Sequence, residues 1–83
     1  MAHPPHDALN WNDLSLQNIL ELAIEDEIEA RDYYTTAAGH AGNTTTRRML
    51  LGLAGMEQGH ADALRKELED LRLQRDLETG MAD

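Results

Sequence analysis

The apolar positions of this chain recur at helical spacing in two stretches, and each stretch carries one acid where the pattern asks for an oily side chain. At roughly 100° per residue, Leu16, Leu20, Ala23, Ala30 and Tyr34 fall on one side of a helix, with Ile24 and Ile28 widening it. Glu27 lies inside that side. In the second stretch Leu50, Leu53, Ala54, Ala61, Leu64, Leu68 and Leu71 share a face, and Glu57 sits at its centre. His60 flanks it one turn on, so an oxygen and a nitrogen donor stand on one face at Glu-x-x-His spacing. A carboxylate buried alone is costly unless it is paired, protonated or bound to a metal.

Punctuation along the chain sets the boundaries. Residues 1–14 read as a flexible lead-in, because Pro4 and Pro5 exclude a helix there. Its His3 and His6 have metal-binding chemistry, but a solvated tail is the expectation. Ser15 is a good N-cap for the first helix, with Leu14 and Ile19 spaced as a hydrophobic staple. That helix is expected to reach about Ala38, where Gly39 supplies the stop. The connection Gly39-His40-Ala41-Gly42-Asn43 is short, which makes the two helices antiparallel neighbours, and His40 reads as a solvent-facing loop residue. Asn43 or Thr44 caps the second helix, expected to about Leu77, so the hairpin is 15–77 and 78–83 a frayed tail. Gly52, Gly55 and Gly59 cluster on the face opposite Glu57, each costing about 1 kcal/mol against alanine in a helix interior. Either a second subunit approaches there or the glycines are tolerated on an exposed face.

Counting along the hairpin links the two acids. With Gly42 as the turn, Glu27 lies 15 residues before it and Glu57 lies 15 after it. Both therefore stand about 22 Å from the turn at 1.5 Å per residue, pointing inward. Arg31, one turn after Glu27, offers the competing reading of a salt-bridged core acid.

Composition narrows the class. The 83 residues hold no cysteine, which excludes disulfides, thiolate metal sites and cysteine nucleophiles. No proline lies between Leu14 and Leu77, as suits an all-α chain. A two-helix hairpin this small cannot bury both apolar faces alone. Pairing two hairpins about a twofold axis gives a four-helix bundle. Symmetry then doubles the donors to four carboxylates and two imidazoles, the inventory of a carboxylate-bridged di-iron site. Two ferrous ions would neutralise the four carboxylates, so metal should stabilise the dimer.

The formal net charge of −9 opposes binding to nucleic acid and to anionic membranes. Glu21, Glu25, Glu29 and Asp32 read as an outward, solvated stripe with Asp26 on its flank. No apolar run approaches the roughly 20 residues that span a bilayer, and no secretion signal is evident. A cytoplasmic protein is the expectation.

Two motifs resemble a known group. Glu27-Ile28-Glu29-Ala30-Arg31-Asp32-Tyr33-Tyr34 resembles the Glu-x-x-Ala-x-x-x-Tyr helix of the rubrerythrin branch of the ferritin-like superfamily. Met56-Glu57-Gln58-Gly59-His60 is similar to its Glu-x-x-His helix. Their separation is similar to that in encapsulated ferritins, single hairpins that build a ferroxidase centre across a dimer. The resemblance spans Leu16 to about Leu71 and implies a ferritin-like fold. It implies Glu27, Glu57 and His60 as iron ligands, Glu57 as the bridge, and Tyr34 as the tyrosine that hydrogen-bonds near the metals. It also implies an encapsulin shell or a higher assembly of dimers as possible surroundings.

The function expected is ferroxidase activity: oxidation of ferrous iron by dioxygen or peroxide at two irons per dimer, for storage or detoxification. Oxygen donors with imidazole also suit manganese and zinc. The alternatives are a non-enzymatic metal-binding or metal-sensing module, and a plain dimerisation hairpin in which Glu27 pairs with Arg31 and Glu57 with His60.

Overall fold

The computed structural model describes Asn12 and residues 14–82, the last four by backbone alone. Helix α1 spans Leu16–Gly39 and helix α2 spans Thr44–Ala82. They form an antiparallel hairpin, all-α as the sequence pattern requires, one helix layer deep, with extents of 61 × 27 × 12 Å. The expected lead-in, with His3 and His6, lies almost wholly outside the described residues.

Local chemistry accounts for the ends. Ser15 caps α1 through a reciprocal box: its hydroxyl accepts from the Asn18 N–H at 3.1 Å, and its own N–H donates to Asn18 Oδ1 at 3.3 Å. The other end departs from expectation. Gly39 is the last helical residue, not a left-handed stop, and no described glycine has a positive φ. The helix instead tightens: the His40 N–H donates to Ala37 O at 3.1 Å and the Ala41 N–H to Ala38 O at 3.2 Å. His40 itself is exposed, as expected of it. Asn43 caps α2 by accepting the Thr46 N–H at 2.8 Å. Helix α2 runs on to Ala82, past the expected Leu77, because no proline or left-handed glycine intervenes.

The seam between the helices is narrow. Among the described residues the buried side chains are Ile24 and Ala38 on α1 and Ala54, Ala61 and Leu68 on α2. These recur at sevens, the spacing of a helix–helix seam. The rest of each apolar stripe is turned to one open side of the hairpin. Leu20, Ala23, Ala30 and Tyr34 on α1 are only half-buried, as are Leu50, Leu53, Leu64 and Leu71 on α2. At the end away from the turn, Leu16, Leu20, Glu67, Asp70, Leu71 and Gln74 line a groove between the helices.

Polar side chains also bridge the two helices. Arg31 donates to Gln58 Oε1 at 2.7 Å, Arg72 meets Glu21 Oε1 at 3.3 Å, and Arg75 donates to Gln17 Oε1 at 2.7 Å. Within the acidic stripe Glu21, still partly exposed, also reaches Arg72 of α2, and Glu25 is half-buried, while Glu29 and Asp32 are exposed. Spacing along α1 alone could not foresee this, because the second helix supplies the cation. A Cβ added at Gly52, Gly55 or Gly59 would meet nothing within 4 Å, so the hairpin's own packing does not require glycine there. Among the described residues no helix is long and apolar enough to cross a membrane.

Candidate metal centre

Three side chains converge on the open face. Helix α1 brings Glu27, and α2 brings Glu57 and His60 one turn apart. One donor atom from each lies within 4.8 Å of the other two. His60 Nδ1 stands 3.5 Å from Glu27 Oε2 and 3.7 Å from Glu57 Oε2. Two donors sharing one ion at about 2.0–2.2 Å are roughly 3–4 Å apart, so the cluster sits at the wide end of a ligand set. The equal height counted along the chain is thus realised in space.

Burial and charge make the cluster uneasy without a cation. The Glu27 and Glu57 side chains are 26% and 23% exposed, and His60 is 58% exposed. Glu27 Oε2 is shielded from solvent and accepts no hydrogen bond. A hydrogen bond to the Glu57 carboxyl, and then burial, push the Glu27 carboxyl above its ordinary pKa, while His60 pulls the other way. Two carboxyls that must share a proton to lie side by side, one with a shielded oxygen left without a close donor, are the chemistry a divalent cation resolves.

Arg31 does not perform that service. Its guanidinium binds Asp32 at 2.8 Å and Gln58 of α2 at 2.7 Å instead. One half of the plain-hairpin alternative, Glu27 paired with Arg31, is therefore absent. The other half, Glu57 with His60, survives as the 3.7 Å approach. Tyr34 is half-buried two turns beyond Glu27, and its ring meets that of Tyr33 edge-on, centroids 5.5 Å apart. Two contributors escaped the sequence reading. Gln58 draws Arg31 away, which its position next to Glu57 could have suggested. Tyr33 stands exposed, signalled only by its place beside Tyr34.

These features define a helical hairpin that presents a carboxylate–imidazole cluster on its unburied side. The sequence model of the Rubrerythrin family matches residues 18–82, and the chain belongs to that family, within the ferritin-like superfamily. Members of the family typically bind iron. No curated protein and no solved structure matches the chain.

Proposed function

We propose that this chain is half of a ferroxidase, a homodimer that oxidises ferrous iron to ferric iron with dioxygen or peroxide. The observation that carries the reading is the orphaned, shielded Oε2 of Glu27, aimed at Glu57 and His60 on an apolar face that the chain leaves open. Two open faces brought together would cover Leu20, Leu53, Leu64 and Leu71 and would pool four carboxylates and two imidazoles. Glu27 and Glu57 would hold two irons per dimer, with Glu57 bridging and His60 supplying nitrogen. The bound ions supply the one-electron redox chemistry. The protein supplies charge balance: deprotonated carboxylates offset the ferrous charge, and the oily rim limits water. Manganese and zinc compete for the same donors.

A cytoplasmic setting, a place inside an encapsulin compartment, and service in iron storage or detoxification belong to this reading. A lone dimer is too small to enclose mineral, so storage needs a larger assembly. The second reading, a metal sensor or plain dimerisation module, draws on the approach of His60 to both carboxylates, which a protonated imidazole would neutralise.

Metal analysis and oxygen uptake separate these readings. The ferroxidase binds two ferrous ions per dimer and consumes oxygen when they are added. Glu57→Ala weakens iron binding by more than roughly 100-fold, beyond the effect of losing a residue that merely orients a ligand. Iron bound but oxidised no faster than in buffer would leave the sensor. A dimer indifferent to iron would leave only the plain module.

A further inference from the structure

Arg31 is a cation held away from the place where its own helix would put it. An acid four residues before a basic side chain is the pairing order that a helix favours. Glu27 and Arg31 have that order, and Glu27 keeps a shielded oxygen without a close partner. The pair is nevertheless not made. Arg31 Nη1 donates to Gln58 Oε1 at 2.7 Å, and its Nε and Nη2 donate to Asp32 Oδ1 at 3.0 and 2.8 Å.

The two holds differ in kind. Asp32 is 62% exposed, and an exposed ion pair contributes little. Gln58 is half-buried and follows Glu57 directly in the chain. Its amide has one workable orientation. The Nε2 donates to Asp62 Oδ1 at 2.9 Å, which leaves Oε1 to face the guanidinium. The reverse orientation would set N–H groups against Arg31 and a carbonyl oxygen against a carboxylate. Helix α2 thus fixes an acceptor beside Glu57, and that acceptor takes the cation.

We propose that Gln58 is a positioning residue for the metal centre: it keeps Arg31 off Glu27 and Glu57 and so leaves both carboxylates free for a divalent ion. The inference rests on the metal-binding part of the proposed function and does not need the oxidation. A guanidinium on these carboxylates would occupy the lone pairs that ligate the ion. It would also set a positive charge beside an incoming cation, in a site where water screens the repulsion poorly. Metal would then have to displace Arg31 before it bound. The Arg31–Gln58 bond also joins α1 to α2, and the two roles part when the cation and its acceptor are removed separately.

Calorimetric titration of the dimer with zinc, and with ferrous iron in the absence of oxygen, tests this. Sedimentation and circular dichroism check that each variant is a helical dimer. Gln58→Leu releases the cation and should weaken binding of either ion by roughly 10-fold or more, the scale seen when groups around metal ligands are lost. Adding Arg31→Met to Gln58→Leu removes the cation too and should restore binding. Arg31→Lys keeps the charge without the planar fork that Gln58 and Asp32 share, so it should weaken binding where Arg31→Met does not. A mere clasp predicts the opposite: the double variant no tighter than Gln58→Leu, and Arg31→Met no tighter than Arg31→Lys. Either result would overturn the guard, as would unchanged binding in Gln58→Leu. The two Arg31 variants decide the question even if Gln58→Leu does not fold. An unmodified chain that takes neither ion would remove the metal centre and the guard together. The expected order of affinities, with iron oxidised no faster than in buffer, would uphold the guard and remove the ferroxidase.

Discussion

Glu27 carries a carboxyl oxygen shielded from solvent and without a close hydrogen-bond partner, in a carboxyl whose pKa is raised, and that gives it a pH dependence of definite sign. Its pKa in the folded chain stands above the ordinary 4.5, chiefly because Glu57 lies beside it and then because it is buried. A raised value means that the folded state holds the proton more tightly than the unfolded state. The stabilisation is complete below the unfolded pKa and is lost as pH rises through the folded one. Metal-free protein should therefore melt at progressively lower temperature as pH rises above about 4.5, and Glu27→Gln should flatten that slope. Divalent metal should reverse it, because the cation binds the deprotonated form. Thermal melts of both chains across pH, with chelator and with ferrous iron, decide the matter; parallel slopes in the two metal-free chains would remove Glu27 as the cause. The acid itself was legible in the sequence, because a charge within an apolar stripe of period 3.6 breaks a pattern that burial enforces. The direction of Arg31 was not. A residue one turn along a helix can reach back to Glu27 or across to the next helix, and only Gln58 and Asp32 decide which.

Elements were legible where short-range chemistry sets them. Ser15 and Asn43 announce helix starts because their side chains satisfy N–H groups that the helix leaves orphaned. Asn43→Ala should cost about 1 kcal/mol, read as a lower melting temperature with the helical spectrum retained at low temperature. The end of α1 was placed to within a residue but not its mechanism, because Gly39 permits a left-handed stop without compelling it, and tightening onto Ala37 and Ala38 satisfies the same carbonyls. The glycines of α2 test a different balance. Gly52 lies in a helix interior with open space where its Cβ would be. Gly52→Ala should stabilise the protein by about 1 kcal/mol. Destabilisation instead would mean that another surface lies against that face.

At the scale of the molecule, the hairpin buries too little to stand alone. Among the described residues the buried side chains are Ile24, Leu68 and three alanines, and a core of that size cannot offset the entropy of ordering more than sixty residues. The open apolar face was readable in advance as the excess of oily positions over what one seam can cover. Folding and pairing should consequently be one event, as in obligate dimers. Leu64→Glu places a charge on the open face, in the stripe that carries Glu57. It should abolish the dimer in sedimentation and lose helical circular dichroism in the same step. Arg72→Ala removes an exposed pair worth at most about 1 kcal/mol and should leave both intact. Ferrous iron should raise the midpoint of unfolding, and dilution should lower it, because only the paired form binds the ion and only pairing depends on concentration. If Leu64→Glu yielded a stable helical monomer, the seam alone would suffice for folding, and the open face would be a docking surface added to an independent hairpin.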